Sequence, residues 1–215
     1  HLLMARHPNT IFYEDPGVPG AVYVTVDREE AARLAVRRLL ERGRQRIGLA
    51  VMTLARRPHL ARLHGYQREL QAHGLAIDER LIFNGANVRL TFAKYNEAEG
   101  RWEFPFETID AAIDRLVGDG NADAIVAHDD FWAAALIKRL RARGLRVPDD
   151  VAVIGYLNHY VADWTDPALT TLDLQHALTA RQMVGMMARM ITCGPLPEDE
   201  RVVKILPKLI VRESA

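Results

Sequence analysis

Alternating strands and helices along these 215 residues predict an α/β chain built on doubly wound parallel sheet. Three observations carry that prediction. Amphipathic helical runs alternate with short β-prone runs. The run 46–53 (RIGLAVMT) is apolar almost throughout, as a strand covered on both faces is. Gly43, Gly74 and Gly144 each follow a helical run, where a left-handed residue ends a helix at no steric cost.

The elements follow in order. Residues 8–13 (PNTIFY) form a short extended run closed by the turn-rich EDPGVPG. Residues 21–26 are β-prone. Asp27 is a good helix N-cap, with Glu30 in the capping-box position. The next helix carries Ala32, Ala35, Val36, Leu39 and Leu40 on one face. After strand 46–53 and the polar loop LARRPH, a helix is predicted over 60–73 and a strand over 81–84. Residues 85–105 read as a long irregular stretch holding Phe92, Tyr95, Trp102 and Phe104; a loop of that length is usually functional or mobile. Then come a helix over 108–117, a strand over 123–127, a helix over 131–143 and a strand over 151–156. Residues 176–191 read as a helix whose Met183, Met186, Met187 and Met190 are core packing or, second, a dimer face. Residues 202–206 and 209–211 are extended.

Composition narrows the function. Lys+Arg and Asp+Glu number 28 each, so the formal net charge is zero, unlike most nucleic-acid-binding modules. The local cluster Arg28, Arg33, Arg37, Arg38, Arg42, Arg44 and Arg46 is interleaved with Glu29, Glu30 and Glu41, and reads as a solvated helix face. The single cysteine, Cys193, excludes a disulfide within the chain and fits a reducing, cytoplasmic compartment. No apolar run reaches the length of a membrane span, and no signal peptide is visible.

In a parallel sheet the strand tips at the carboxyl edge are where ligands bind. One tip is followed by Arg56, Arg57, His59 and Arg62, another by His128, Asp129 and Asp130, a third by Leu157, Asn158 and His159; Asp27 ends strand 21–26. Arginine offers a forked donor set suited to carboxylate, phosphate or vicinal hydroxyls. Each residue also has a plain alternative. Arg62 reads equally as an exposed helix arginine, Asp129 and Asp27 as helix caps, His128 as structural, Asn158 as a turn residue. No nucleophile elbow, Walker loop or Gly-x-Gly-x-x-Gly occurs. His59 and His64 lie five apart, off a shared helix face, and adjacent Asp129 and Asp130 rarely point one way. No catalytic residue, metal site or cofactor is expected.

Several segments carry a family resemblance. They are VTVDREEAARLAVRRLLERGRQRIGLAV (24–51), ARLHGYQREL (61–70), AIVAHDDFWAAALIKRLRARGLRVPDDVAVIGYLN (124–158), DPALTTLD (166–173) and LPKLIVRES (206–214). Together they resemble the effector-binding core of the lactose-repressor/galactose-repressor (LacI/GalR) family of bacterial transcription regulators, which is similar to periplasmic sugar-binding proteins. The resemblance implies two doubly wound parallel-sheet lobes of the periplasmic-binding-protein-like type I kind, with a small molecule between them. The first lobe, incomplete, would take 1–44 plus 174–201; the second, 45–173 plus 202–215. The DNA-binding headpiece would precede His1, which makes the chain an N-terminally truncated piece.

The resemblance also assigns roles. It places Arg62 on a ligand-clamping arginine, His128-Asp129 on an Asn-Asp pair, Asp27 on a first-lobe aspartate and Tyr13 near another first-lobe contact. Leu157 and Asn158 fall where the family has Asp followed by Asn or Asp. Leu157 thus replaces a carboxylate that holds sugar hydroxyls, and Trp132 a small residue, which implies a less polar effector than a simple sugar. Phe92, Tyr95 or Trp102 can add a wall. Arg62→Ala is expected to abolish binding and leave the fold intact. A homodimer through 131–143 and 160–165 is implied, where Tyr160 and Trp164 would otherwise be large exposed groups. The expected function is effector sensing by a transcriptional repressor or other regulator of operator DNA, with a transport-linked solute-binding protein of the same fold as the alternative. An enzyme would need a nucleophile-base set that is not found.

Overall fold

The computed structural model describes residues 6–7, 9–85, 94–97, 101–103 and 106–215. In chain order the elements are β1 (Ile11–Tyr13), β2 (Val22–Val26), α1 (Arg28–Glu41), β3 (Ile47–Val51), α2 (Arg57–Ala72) and β4 (Ile82–Asn84). There follow β5 (Lys94–Asn96), β6 (Arg101–Glu103), α3 (Phe106–Ile113), β7 (Ala124–Val126), α4 (Asp130–Ala142) and β8 (Ala152–Tyr156). The last are α5 (Val161–Trp164), β9 (Thr170–Asp173), α6 (His176–Cys193), β10 (Val202–Ile205) and β11 (Lys208–Ile210). The alternation read from the sequence is therefore present. The α3 helix runs into a π-helical turn over Asp114–Asp119.

The described residues form two compact units. One ends at Asp27 and resumes over Leu174–Lys208; the other holds Arg28–Asp173 and Leu209–Ala215. In the first, β2 is central to a parallel sheet ordered β1-β2-β10. The α6 helix packs on β2 and β10, and buries Met186 and Met190, two of its four methionines, as core. In the second, a sheet ordered β11-β9-β8-β7-β3-β4 has parallel pairings from β9 through β4. Every residue of β3, β7 and β8 is buried, which explains their continuous apolar runs.

The boundaries differ from the expected ones, for a packing reason. Residues 28–44 belong with the second unit, because α1 packs along α2. The buried Glu69 carboxylate of α2 accepts Arg33 Nε at 2.8 Å and Arg37 Nε at 2.9 Å. Residues 202–208 belong with the first unit, because β10 pairs in parallel with β2. Arg33 and Arg37 keep 36 % of their side chains exposed, so the solvated face read from the sequence is also a bonded one. Arg38 donates to the Ala215 carbonyl, Arg44 to those of Pro148 and Asp149, and Arg46 to Asp78 and the Gly120 carbonyl. These arginines tie α1 and the approach to β3 onto the rest of their unit.

Part of the stretch read as irregular is regular. The β5 and β6 strands pair antiparallel, with Tyr95 opposite Trp102 in the backbone register. Phe92 and Phe104 lie outside the described residues, and Tyr95 and Trp102 are placed by backbone alone. At the chain end, the Ser214 hydroxyl donates to the Val153 carbonyl at 2.6 Å and accepts the Thr170 N–H at 2.9 Å. That is the structural use of the terminal Arg-x-Ser: it clamps β8 and β9 side by side.

Gly65 marks the close approach of α1 and α2. A Cβ there would lie 2.2 Å from the Glu29 carbonyl oxygen. Gly65→Ala is expected to cost roughly 2–3 kcal/mol by denaturant unfolding, since backbone must move to admit it. Gly185, in α6, meets nothing within 4 Å. Gly185→Ala is expected to be neutral or to stabilise by up to about 1 kcal/mol.

Candidate ligand-binding site

Parallel pairing brings the carboxyl ends of β3, β7 and β8 to one edge of the larger sheet. Beyond β3 comes α2, whose Arg62 lies one turn past the helix start, with Pro58 at the position where a missing N–H costs nothing. That placement aims Arg62 at the β7 tip. Its Nη1 donates to the His128 carbonyl at 2.8 Å and its Nη2 to the Ala127 carbonyl at 2.6 Å. The guanidinium carbon sits 3.9 Å from the centroid of the Tyr156 ring, at the end of β8. Arg62 is 2 % exposed, and its Nε has no hydrogen-bond partner among the described residues. Burial pushes the guanidinium below its ordinary value, with Arg28 pushing the same way and Tyr156 and Asp129 opposing.

This corrects one expectation. Arg62 is not an exposed helix arginine whose removal leaves the fold intact. It fastens the β7 tip to the β8 tip. Arg62→Ala would strand two buried carbonyls and is expected to cost roughly 2–4 kcal/mol, read as a lower urea midpoint at unchanged slope. Arg62→Lys cannot serve both carbonyls in the same fork and should recover only part of that loss.

His128 follows β7. Its Nδ1 accepts the Met52 N–H at 3.3 Å, so the tip of β3 is bonded to the tip of β7. Its ring lies 5.0 Å from that of His59 and 5.7 Å from that of Trp132. Burial, then the Arg62 and His59 charges, lower its imidazole to about 3. Asp129 caps α4, its carboxylate accepting the Trp132 N–H at 2.8 Å, so the plain reading of Asp129 holds. Burial raises Asp129, while those helix N–H groups and Arg62 pull it back.

Asp130 turns the other way, as adjacent residues do. Fully buried, it accepts the Thr171 hydroxyl and the His159 N–H. Gly155 makes room for it: a Cβ there would lie 2.2 Å from Asp130 Oδ1. Thr171, last of the Pro-x-Leu-Thr-Thr motif, thus locks α4 to β9. Beyond β8 the chain turns sharply. Leu157 has φ +108° and Asn158 φ +50°, and the Leu157 N–H reaches the Leu172 carbonyl at 2.8 Å. A leucine at that angle is strained, which a surrounding structure tolerates where the geometry serves a site. Asn158 does more than turn the chain: its Oδ1 accepts Arg212 at 3.2 Å and its Nδ2 donates to Asp173 at 3.4 Å.

The structure therefore joins Arg62 and His128 directly, keeps Asp129 beside them as the cap of α4, and sets Leu157 and Asn158 on the neighbouring tip. Tyr13 and Asp27 lie in the other compact unit. There Tyr13 is exposed with its ring 6.4 Å from that of His176, and Asp27 pairs with Lys204 at 2.7 Å. Sequence reading missed Tyr156 as the stacking face, Asp130 as a knot, and Arg212; His59 it placed at the β3 tip without a role. For Asp130 the signal was there: a glycine two residues before Leu157 and a threonine pair. Among the described residues no group of three or more His, Cys, Asp or Glu can hold a metal ion, and no helix is long and apolar enough to cross a membrane.

A family described as the periplasmic binding protein-like domain matches residues 36–215. This chain belongs to that family. Its relatives of this fold include LacI/GalR-type regulators. The HTH-type transcriptional regulator CelR of Thermobifida fusca is 32 % identical over 193 residues, 89 % of this chain and 51 % of CelR. The HTH-type transcriptional repressor PurR of Vibrio atlanticus is 26 % identical over 219 residues, 99 % of this chain and 59 % of PurR. A solved structure of a transcriptional regulator CelR–cellobiose complex superposes with a TM-score of 0.76 at 30 % identity, covering 93 % of this chain and 56 % of that one. The chain spans about half the length of the curated relatives it matches.

The lowered His128 value has a consequence for stability. The folded ring stays neutral down to about pH 3, while the unfolded ring takes a proton near 6.5. Between those values the unfolded state binds more protons, so stability falls as pH falls, by at most about 1.4 kcal/mol per unit. From pH 6.5 to about pH 5 that is up to about 2 kcal/mol, most of which His128→Asn should remove. Equal acid sensitivity in both proteins, by urea unfolding across that range, would refute the buried neutral ring.

Proposed function

We propose that this chain is the effector-sensing domain of a bacterial DNA-binding transcriptional regulator. The observation that carries the proposal is the Arg62 cluster: a buried cation joining two strand tips at the carboxyl edge, with a donor still unused. Ligand-gripping sites in such sheets are built from these parts. That the named relatives are HTH-type regulators favours sensing over a transport-linked role, and over an enzyme. In this proposal the effector-contacting residues are Arg62, His128, Asp129, Leu157 and Asn158, together with Tyr13 and Asp27. Operator DNA is read by a part of the protein other than these residues, whose net charge is zero. The regulator works in the cytoplasm.

The effector is a small molecule, a sugar or a less polar metabolite, and Leu157 sets which. A sugar hydroxyl buried against leucine loses a partner, at about 1–3 kcal/mol. Leu157→Asp should therefore admit plain sugars that the wild type rejects. The regulator is a homodimer in the same proposal. Phe131, Tyr160 and Trp164 are 42 %, 55 % and 76 % exposed. Their rings join through His159 and Tyr160 at 4.1–4.7 Å into one apolar strip. The test is operator binding by the full-length protein against a panel of sugars, nucleosides, aromatic compounds and organic acids. One compound should change operator affinity in the wild type and leave Arg62→Lys unresponsive. A response that survives in Arg62→Lys would count against the site.

A further inference from the structure

The tip of β3 holds two imidazoles at once. The His128 Nδ1 accepts the Met52 N–H, so that nitrogen carries no hydrogen and the neutral ring has its proton on Nε2. The His59 Nδ1 lies 2.6 Å from the Thr53 carbonyl, which can only accept, so that nitrogen carries the proton and Nε2 keeps a lone pair. Consecutive residues of one strand tip thus fix the two rings in opposite tautomers. The rings meet edge to face, 5.0 Å apart at 82°. Neither Nε2 has a hydrogen-bond partner among the described residues. Trp132 also meets the His128 ring, 5.7 Å away at 61°.

We propose that His59 is a specificity residue of the Arg62 site, and that with His128 it reads a neutral ligand group bearing a hydrogen-bond acceptor beside a donor. His128 supplies the N–H and His59 the lone pair. The proposal rests on the effector-sensing reading and narrows it. Two chemistries carry such an acceptor–donor pair: adjacent hydroxyls of a sugar ring, and the cis-amide edge of a nucleobase-like ring. A carboxylate or phosphate, acceptor only, would meet the His59 lone pair and is disfavoured. Burial and the nearby Arg62 charge lower both imidazoles, which keeps the pair neutral. The spacing of His59 in the sequence showed none of this, because the tautomer depends on the Thr53 carbonyl.

Two measurements test it. Long-range ¹H–¹⁵N spectra of the imidazoles, assigned with His59→Asn and His128→Asn, should show His59 protonated on Nδ1 and His128 on Nε2. The same tautomer in both rings overturns the proposal. Calorimetry then uses cellobiose and uracil as probes of the two chemistries. At least one should bind the wild type, and His59→Asn, which keeps a donor toward Thr53 but lacks the second nitrogen, should weaken that probe about tenfold. His59→Gln, which places a carbonyl oxygen where Nε2 lies, should restore most of the affinity. Binding of neither probe, or equal affinity in His59→Asn, overturns the proposal. Binding lost in Arg62→Lys but unchanged in His59→Asn would overturn this proposal and leave the Arg62 site standing, whereas binding kept in Arg62→Lys would overturn both.

Discussion

The Arg62 guanidinium is the constraint around which the larger unit's working edge is arranged. A buried cation must be paired or shared among dipoles, because desolvation costs several kcal/mol otherwise. Here no carboxylate pairs with it directly. Two backbone carbonyls at the β7 tip and the face of Tyr156 at the β8 tip take that part. The strand tips cannot separate without exposing a charge to apolar surroundings. Gly65, one turn further along α2, lets that helix lie against α1, so the arginine is delivered at the depth its partners require.

A second set of bonds holds the neighbouring tip. Asp130 reaches Thr171 and the His159 backbone, and Arg212 reaches Asn158, the Leu169 carbonyl and Asp163. The positive-φ turn at Leu157 and Asn158 is thus fastened from both sides. Asp163 lies on α5, between Tyr160 and Trp164 of the exposed strip.

Much of this was legible beforehand. Apolar strands with period-free runs, helices with glycine stops, and polar residues at the strand ends were enough to place the edge; the family resemblance then singled out Arg62, His128 and Asp129. The rest depends on tertiary facts that spacing does not carry. Whether an arginine faces water or a carbonyl is decided by what lies opposite, and the sequence left buried Arg62 reading equally as an exposed helix arginine. The unit boundaries were missed because Glu69, thirty-odd residues from its partners, draws α1 to α2. The β5–β6 pair was hidden by a stretch whose composition suggests a loop.

The central claim is that the unused Nε–H of Arg62 is the anchor for a ligand. It is tested most directly by following the arginine Nε–H signals in ¹H–¹⁵N spectra while compounds are added. The account predicts that a compound which stabilises the chain shifts the Arg62 Nε–H resonance and protects it from exchange. A compound that binds with saturable affinity, moves other signals and leaves the Arg62 Nε–H unchanged would contradict it.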